Sequence, residues 1–197
     1  MVKQEPLEAI RITLQVTQEL DRLGVLHVVA GSLASSLHGI PRATNDVDVV
    51  AAFREEHVDA FVRALESGFY IDADMIREAI AHRSEFNVIE LNTMFKVDVF
   101  VPLMDIVIRQ ELKRGVMTVV DRARNLSMRL ATAEDIVAHK LSWYHRGGKV
   151  SERQWSDVVG VLVVQKGKLD LPYLRETAML LDVSDLLERA LAEAQEP

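Results

Sequence analysis

Two short segments of this chain alternate acidic and apolar residues as one-sided β-strands do. The first reads Asp46-Val47-Asp48-Val49-Val50, and the second reads Lys96-Val97-Asp98-Val99-Phe100-Val101. Because alternate side chains of a strand share a face, Asp46 and Asp48 should point one way while the valines beside them enter the core. Neighbouring carboxylates repel each other and lose hydration, which a bound divalent cation would relieve.

The second segment supplies a third carboxylate of the same kind. Asp98 shares a face with Lys96 and Phe100, and its flanking valines face the other way. If the two strands are neighbours, three carboxylates meet at one place, and Mg²⁺ or Mn²⁺ could be held there for phosphoryl or nucleotidyl transfer. Each carboxylate taken alone is more typical of a strand edge, a turn or the surface, so only the combination predicts a site.

A Gly-Ser pair precedes these segments where a strand gives way to a helix. Gly31 allows a phosphate to approach the backbone, and the hydroxyl of Ser32 can donate a hydrogen bond to it. Free N–H groups and the positive end of the helix favour phosphate oxygens at such a junction. Farther on, Arg42 fits a turn as well as it fits a contact with phosphate or substrate.

The composition limits the classes of protein that the chain can belong to. It has 197 residues, 49% of them hydrophobic, and no cysteine, so it can bury a core but forms neither a disulfide nor a thiolate metal site. The formal net charge of −7 argues against a broad surface for nonspecific binding of nucleic acid, although an RNA end could still reach one local site. The amphipathic start and the lack of a long apolar run favour a soluble, cytoplasmic protein without a membrane partner.

Hydrophobic periodicity and turn residues predict an α+β chain with a mixed β-sheet and flanking helices, followed by a C-terminal helical region. We place the core at residues 1–125 and the helical region at residues 126–197. Strands are expected at 25–30, 46–51, 85–91, 96–101 and 116–120. Helices are expected at 6–23, 33–37, 55–67, 74–82, 104–113, 132–145 and 151–164, with two more introduced by Pro172 and Asp182.

The order of these motifs resembles the nucleotidyltransferase superfamily of DNA polymerase beta type. Its pattern is Gly-Ser or Gly-Gly, a gap, Asp-x-Asp and then an Asp on a later strand, matched here by Gly31-Ser32, Asp46-Val47-Asp48 and Asp98. The core match covers about residues 25–101. The longer phrase from Gly39 to Asp48 is similar to the minimal and AbiEii-like bacterial branches, the latter including toxins of toxin–antitoxin systems.

Two segments of the helical region extend the resemblance to the AbiEii-like branch. They run from Glu134 to Leu141 and from Arg153 to Asp157. The resemblance implies that Lys140 contacts a triphosphate and that Asp157 orients Lys140 or the substrate. An interhelical ion pair between Lys140 and Asp157 is the structural alternative.

The resemblance also implies a reaction and a set of site residues. An acceptor hydroxyl would attack the α-phosphorus of a nucleoside triphosphate such as ATP, and pyrophosphate would leave. Asp46, Asp48 and Asp98 would be both catalytic residues and metal ligands. Nucleotide binding would fall to Gly31, Ser32, Arg42, Thr44 and Lys140.

Two functions of other classes compete with this prediction. One is a catalytically idle, antitoxin-like interaction module that keeps the fold and a nucleotide pocket. The other is a metal phosphohydrolase, which is disfavoured because the motifs carry no histidine beside the carboxylates. The sequence leaves open whether the acceptor is an RNA end, a protein or a small molecule, and whether a protein partner or a second copy binds.

Overall fold

The computed structural model describes residues 5–44 and 46–195. Contacts divide the chain into two compact units. The first unit contains the described residues up to Leu33 together with Ala43–Leu130, and the second contains Ala34–Arg42 with the described residues from Ala131 onward. The assignment of residues 1–125 to a core and of residues 126–197 to a C-terminal helical region stays a prediction.

A mixed β-sheet organises the first unit. Its seven described strands are β1 (His27–Val29), β2 (Asp46–Ala51), β3 (Phe69–Tyr70), β4 (Glu85–Glu90), β5 (Lys96–Phe100), β6 (Val116–Asp121) and β7 (Leu126–Leu130). They lie in the order β3-β4-β5-β2-β1-β7-β6. Sequence analysis predicted five of them and missed β3, which has only two residues, and β7.

The strand directions place the two acidic strands side by side. β2 pairs with β5 in parallel, whereas β1 pairs with β2, and β4 with β5, in antiparallel fashion. At the far side, β7 pairs parallel to β1 and antiparallel to β6. Parallel neighbours require a long crossover, and the chain between β2 and β5 supplies one that also adds β3 and β4 to the sheet.

Within the described residues, five helices precede or connect these strands. They are α1 (Glu5–Arg22), α2 (Gly31–His38), α3 (Val58–Leu65), α4 (Ala73–His82) and α5 (Ile106–Arg114), with a 3₁₀ turn at Glu55–His57. The core of the first unit contains the alternate valines of β2 and β5 and an aromatic cluster. In that cluster Phe53 makes edge-to-face contacts with both Phe61 and Phe86, an arrangement that aromatic rings favour.

The described chain after β7 contains helices and loops but no strand, whereas Leu126–Leu130, which sequence analysis assigned to the helical region, forms β7. The helices are α6 (Ala133–Arg146), α7 (Glu152–Val164), α8 (Leu171–Leu180) and α9 (Ser184–Glu193). Side chains of Thr132, Ser151 and Asp170 accept hydrogen bonds from the first turns of α6, α7 and α8. Each bond satisfies a backbone donor that the helix itself leaves unpaired.

The predicted fold class is therefore confirmed, with strands and helices close to the expected positions. Within residues 5–44 and 46–195, no helix has the length and apolar character that crossing a membrane requires.

Candidate active site

The pairing of β2 with β5 brings the predicted carboxylates to one face of the sheet. Asp48 lies directly opposite Asp98, and Asp46 lies opposite Lys96. Paired residues of adjacent strands project to the same side, so Asp46, Asp48 and Asp98 share a face. Along β2, Asp46 and Asp48 are partly exposed, whereas Val47 and Val49 are fully buried. We call this surface, defined by Asp46, Asp48 and Asp98, the aspartate face.

Asp98 is held from two sides by neighbouring side chains. The Lys96 Nζ atom lies 2.7 Å from Asp98 Oδ2, and the amide of Asn87 donates a hydrogen bond to Asp98 Oδ1. Asn87 belongs to β4 and lies directly opposite Asp98 in the antiparallel pairing with β5. The Asp98 side chain is only 10% exposed, so these two contacts satisfy a carboxylate that has lost most of its hydration.

The acidic side chains around Lys96 raise the pKa of its ammonium group. Its hydrogen bond to Asp98 raises the pKa of the Lys96 ammonium, and the charges of Asp98, Asp46 and Glu85 raise it further. Lys96 thus carries a positive charge on the aspartate face. Sequence analysis placed Lys96 on the same face as Asp98 but assigned no function to it, and it did not single out Asn87.

The hydroxyl of Thr44 donates to Asp46. Its Oγ1 atom is 3.0 Å from Asp46 Oδ1 and 2.8 Å from the Asp46 carbonyl oxygen. The hydroxyl therefore helps to fix the start of β2. A contact of Thr44 with nucleotide stays a prediction.

Gly31 lies against Asp48 at the start of α2. A Cβ atom built on Gly31 would fall 1.6 Å from Asp48 Oδ2, so no other residue fits without moving the carboxylate. Gly31 also has a φ of +56°, a left-handed conformation that glycine adopts without steric cost. The amide of the preceding residue, Ala30, donates a 2.8 Å hydrogen bond to the Asp48 carbonyl oxygen. Ser32 follows as a buried residue.

The donor atoms of the aspartate face fit a hard divalent cation in chemistry, since Mg²⁺ and Mn²⁺ favour carboxylate oxygen. The positions of these carboxylates among the described residues do not form a complete metal-binding site. In the part of the chain that the structure describes, no three His, Asp or Glu side chains are placed to hold one metal ion together. A cation at Asp98 would need to replace the contact that Lys96 makes. The metal-binding roles of the three aspartates accordingly stay predictions.

Three residues singled out in the sequence, Arg42, Lys140 and Asp157, lie together within the second compact unit. Arg42 donates two hydrogen bonds of 2.9 Å to the Asp157 carboxylate, and the Lys140 Nζ atom lies 2.8 Å from Asp157 Oδ2. Lys140 also donates to Gln154 at 3.2 Å. The Lys140 and Asp157 side chains are almost fully buried, at 7% and 9% exposure. The ion pair that sequence analysis offered as an alternative role for Lys140 is present, and Arg42 joins it.

Arg42 and Lys140 lower the pKa of the Asp157 carboxylate. Burial by itself would raise the pKa of Asp157, but the hydrogen bonds from Arg42 and Lys140 outweigh it and hold the pKa below the ordinary value. Asp157 is therefore ionised at neutral pH and pairs with both Arg42 and Lys140. Contacts of Arg42 and Lys140 with triphosphate stay predictions.

Comparison of the sequence with family profiles gives no match, and comparison with curated proteins gives none either. Solved structures do resemble the chain. A nucleotidyltransferase-like antigenic protein from Paracoccidioides brasiliensis is 18% identical, with a TM-score of 0.55 over 94% of this chain and 93% of that one. The resistance factor ANT(2'')-Ia in complex with adenylyl-2''-tobramycin is 12% identical, with a TM-score of 0.53 over 88% of this chain and 96% of that one.

A solution structure of the antibiotic-resistance factor ANT(2'')-Ia gives the same result. It is 12% identical to this chain, with a TM-score of 0.50 over 93% of this chain and 94% of that one. Together these likenesses show that the chain has a nucleotidyltransferase-like fold, as the motif order predicted. Membership of the AbiEii-like branch stays a prediction.

Proposed function

We propose that this protein is a metal-dependent nucleotidyltransferase whose reaction takes place on the aspartate face. The observation that carries the proposal is the direct pairing of Asp48 with Asp98 across parallel strands, with Gly31 against the Asp48 carboxylate. Three carboxylates and a glycine at the start of a helix are suited to a triphosphate with its cations. The nucleotidyltransferase-like fold supports the same reaction class.

Each residue has a distinct part in the proposed reaction. Bound Mg²⁺ or Mn²⁺ would neutralise triphosphate charge and polarise the α-phosphorus. Asp46 and Asp48 would hold the cations, while Asp98 would bind one of them and orient the acceptor hydroxyl by accepting its hydrogen bond. The acceptor oxygen would bond to the α-phosphorus as its proton passes to the Asp98 carboxylate and on to water, the bond to the bridging oxygen would break, and pyrophosphate would leave. The protein would act mainly by positioning and charge neutralisation.

The first turn of α2 would face the phosphates. Gly31 has no side chain to block a phosphate oxygen, and the positive end of a helix favours anions. Ser32 would contribute its hydroxyl. We assign Arg42, Thr44 and Lys140 to nucleotide binding on the basis of the family resemblance alone.

The acceptor defines the biological role, and we propose only its reactive group, a hydroxyl on RNA, a protein or a small molecule. ANT(2'')-Ia, one of the similar structures, was solved with an adenylylated antibiotic, which illustrates the last class. A toxin–antitoxin setting and a cytoplasmic location are expectations from sequence.

Two observations favour a second candidate, the catalytically idle interaction module. Lys96 already neutralises Asp98, and the described carboxylates form no ready metal cluster. An idle protein could keep this arrangement as a structural ion pair. It would then bind partners or nucleotide without transferring anything.

A labelling experiment separates the two candidates. The protein is incubated with each α-³²P nucleoside triphosphate, Mg²⁺ or Mn²⁺, and total cellular RNA, protein or small-molecule extract. An enzyme transfers label to an acceptor and releases pyrophosphate, and Asp48→Asn abolishes both. Lack of label and of pyrophosphate release with every triphosphate and every extract would favour the idle module.

A further inference from the structure

We propose that Lys96 is a resident counter-cation of the aspartate face, which competes with a divalent cation for Asp98 and is displaced when that cation binds. The inference rests on the proposed function, because it concerns how the cation enters the same site.

The contacts of Lys96 place its ammonium where a cation would bind. Its Nζ atom lies 2.7 Å from Asp98 Oδ2, and Lys96 is the register partner of Asp46 on the adjacent strand. A carboxylate oxygen that binds Mg²⁺ does so at about 2.0–2.1 Å. The ammonium and the metal therefore cannot both occupy the same approach to Asp98 Oδ2.

The greater exposure of Lys96 than of Asp98 allows the ammonium to leave the carboxylate when a metal ion binds. The Lys96 side chain is 40% exposed, whereas that of Asp98 is 10% exposed. Lys96 sits on a long flexible stem and can turn toward water, where an ammonium is well hydrated. Asp98 cannot turn away in the same manner, because Asn87 holds its other oxygen from the opposite strand.

The charge balance explains why a resident cation is useful. Asp46, Asp48 and Asp98 place three acidic side chains on one face of the sheet, and Lys96 forms an ion pair with one of them. Without a cation, like charges on adjacent strands destabilise the pairing. Lys96 would stabilise the metal-free sheet, and the same contact would weaken metal binding because it has to be broken first.

Metal affinity distinguishes competition from a purely structural ion pair. The experiment measures binding of Mn²⁺ alone, by titration calorimetry, to the wild type, Lys96→Met and Lys113→Met. Lys113 is an exposed lysine on α5 and serves as the matched loss of one positive charge. We expect Lys96→Met to bind Mn²⁺ about tenfold more tightly than the wild type, which corresponds to about 1.4 kcal/mol. Lys113→Met should bind within about twofold of the wild type.

The outcomes separate this inference from the proposed function. Binding to Lys96→Met that equals or falls below wild-type binding overturns the competition, even if the labelling experiment shows transfer. Binding by Lys96→Met alone, with none by the wild type, supports it. Absence of binding to both proteins overturns it too, whereas the proposed function is decided separately by label transfer and its loss in Asp48→Asn.

A second measurement follows displacement in the wild-type protein itself. With ¹³C-labelled lysine, the side-chain Cε signals of Lys96 and Lys113 are assigned by NMR and followed during titration with diamagnetic Mg²⁺. The Lys96 signal should shift along a saturable curve while the Lys113 signal stays in place. A Lys96 signal that does not move at Mg²⁺ concentrations that shift the backbone signals of Asp48 would show that the ammonium is not displaced.

Discussion

The carboxylate of Asp48 occupies the space that a side chain at Gly31 would need. A Cβ atom on Gly31 would come within 1.6 Å of Asp48 Oδ2 and 2.5 Å of its Cγ atom. Gly31 therefore does two things at once, since it takes the positive φ at the start of α2 and leaves room for Asp48. The Gly-Ser motif and the Asp-x-Asp motif, separate in the sequence, form one packed unit.

Gly31→Ala should displace Asp48 and reduce transfer activity. The added methyl group cannot be accommodated without moving the carboxylate, and a shift of about 1 Å in a reacting group can cost about 100-fold in rate. The left-handed φ adds about 1–2 kcal/mol of strain in the folded protein. Turnover is measured as pyrophosphate release, and the free energy of unfolding by urea titration.

Gly24→Ala is the matched control for Gly31→Ala. Gly24 has a similar φ of +70°, but a Cβ atom there would meet nothing within 4 Å. It should lose similar backbone stability and keep nearly wild-type turnover. Equal losses of turnover in the two variants would show that strain, rather than the position of Asp48, causes the effect.

Asp48→Asn should separate catalysis from folding. The amide keeps the size of the side chain but removes a negative charge from the aspartate face, so the metal-free fold should be unchanged or slightly more stable. Transfer should fall by about a thousandfold, because bound metal supplies several kcal/mol of transition-state stabilisation. Melting temperature and pyrophosphate release are measured on the same preparation. An unfolded variant, or one with wild-type turnover, would make Asp48 a structural residue.

Lys140→Met tests whether Lys140 is a nucleotide contact or only an ion-pair partner. Asp157 would keep both hydrogen bonds from Arg42, so the fold should lose less than about 2 kcal/mol. If Lys140 binds triphosphate in both ground and transition states, KM for the nucleotide should rise while kcat changes little. Lys168→Met, at an exposed position, is the control. Reduced stability with an unchanged KM would leave Lys140 as an ion-pair partner only.

Glu90→Gln should reveal an acid-sensitive turn at the end of β4. The Glu90 carboxylate accepts hydrogen bonds from the side chain and backbone of Asn92 and then of Thr93, which lower its pKa from 4.5 to about 2. A lowered pKa means that the ionised form stabilises the fold above pH 4.5 and that this contribution is lost as the pH falls toward 2.

The wild type should therefore be more stable than Glu90→Gln by a constant margin from about pH 5 to 7. The margin should narrow as the pH falls from 4.5 toward 2. Urea unfolding of both proteins across this range measures it. A margin that does not depend on pH would mean that the shape of the turn, rather than the charge of Glu90, provides the stability.

The sequence by itself determined the local pattern of the fold. Alternation of carboxylates and valines in β2 and β5 fixed which side chains enter the core, because a strand turns successive residues to opposite faces. Thr132 and Ser151 fixed the starts of α6 and α7, since their side chains satisfy donors three residues ahead. The order of the Gly-Ser and Asp motifs also predicted the nucleotidyltransferase-like fold.

Only the tertiary structure decided which side chains meet. The register that sets Asp48 against Asp98, and Asn87 against Asp98 from the other side, depends on pairing between strands that are far apart in the chain. The same holds for Arg42, whose ion pair with Asp157 no sequence pattern indicated. Periodicity assigns a residue to a face, but its partner is chosen by long-range packing and hydrogen bonding, which a single strand does not encode. For that reason the sequence predicted that Lys96 and Asp98 share a face. Their 2.7 Å contact was found only in the folded protein, because it depends on the side-chain conformation that the surrounding strands allow.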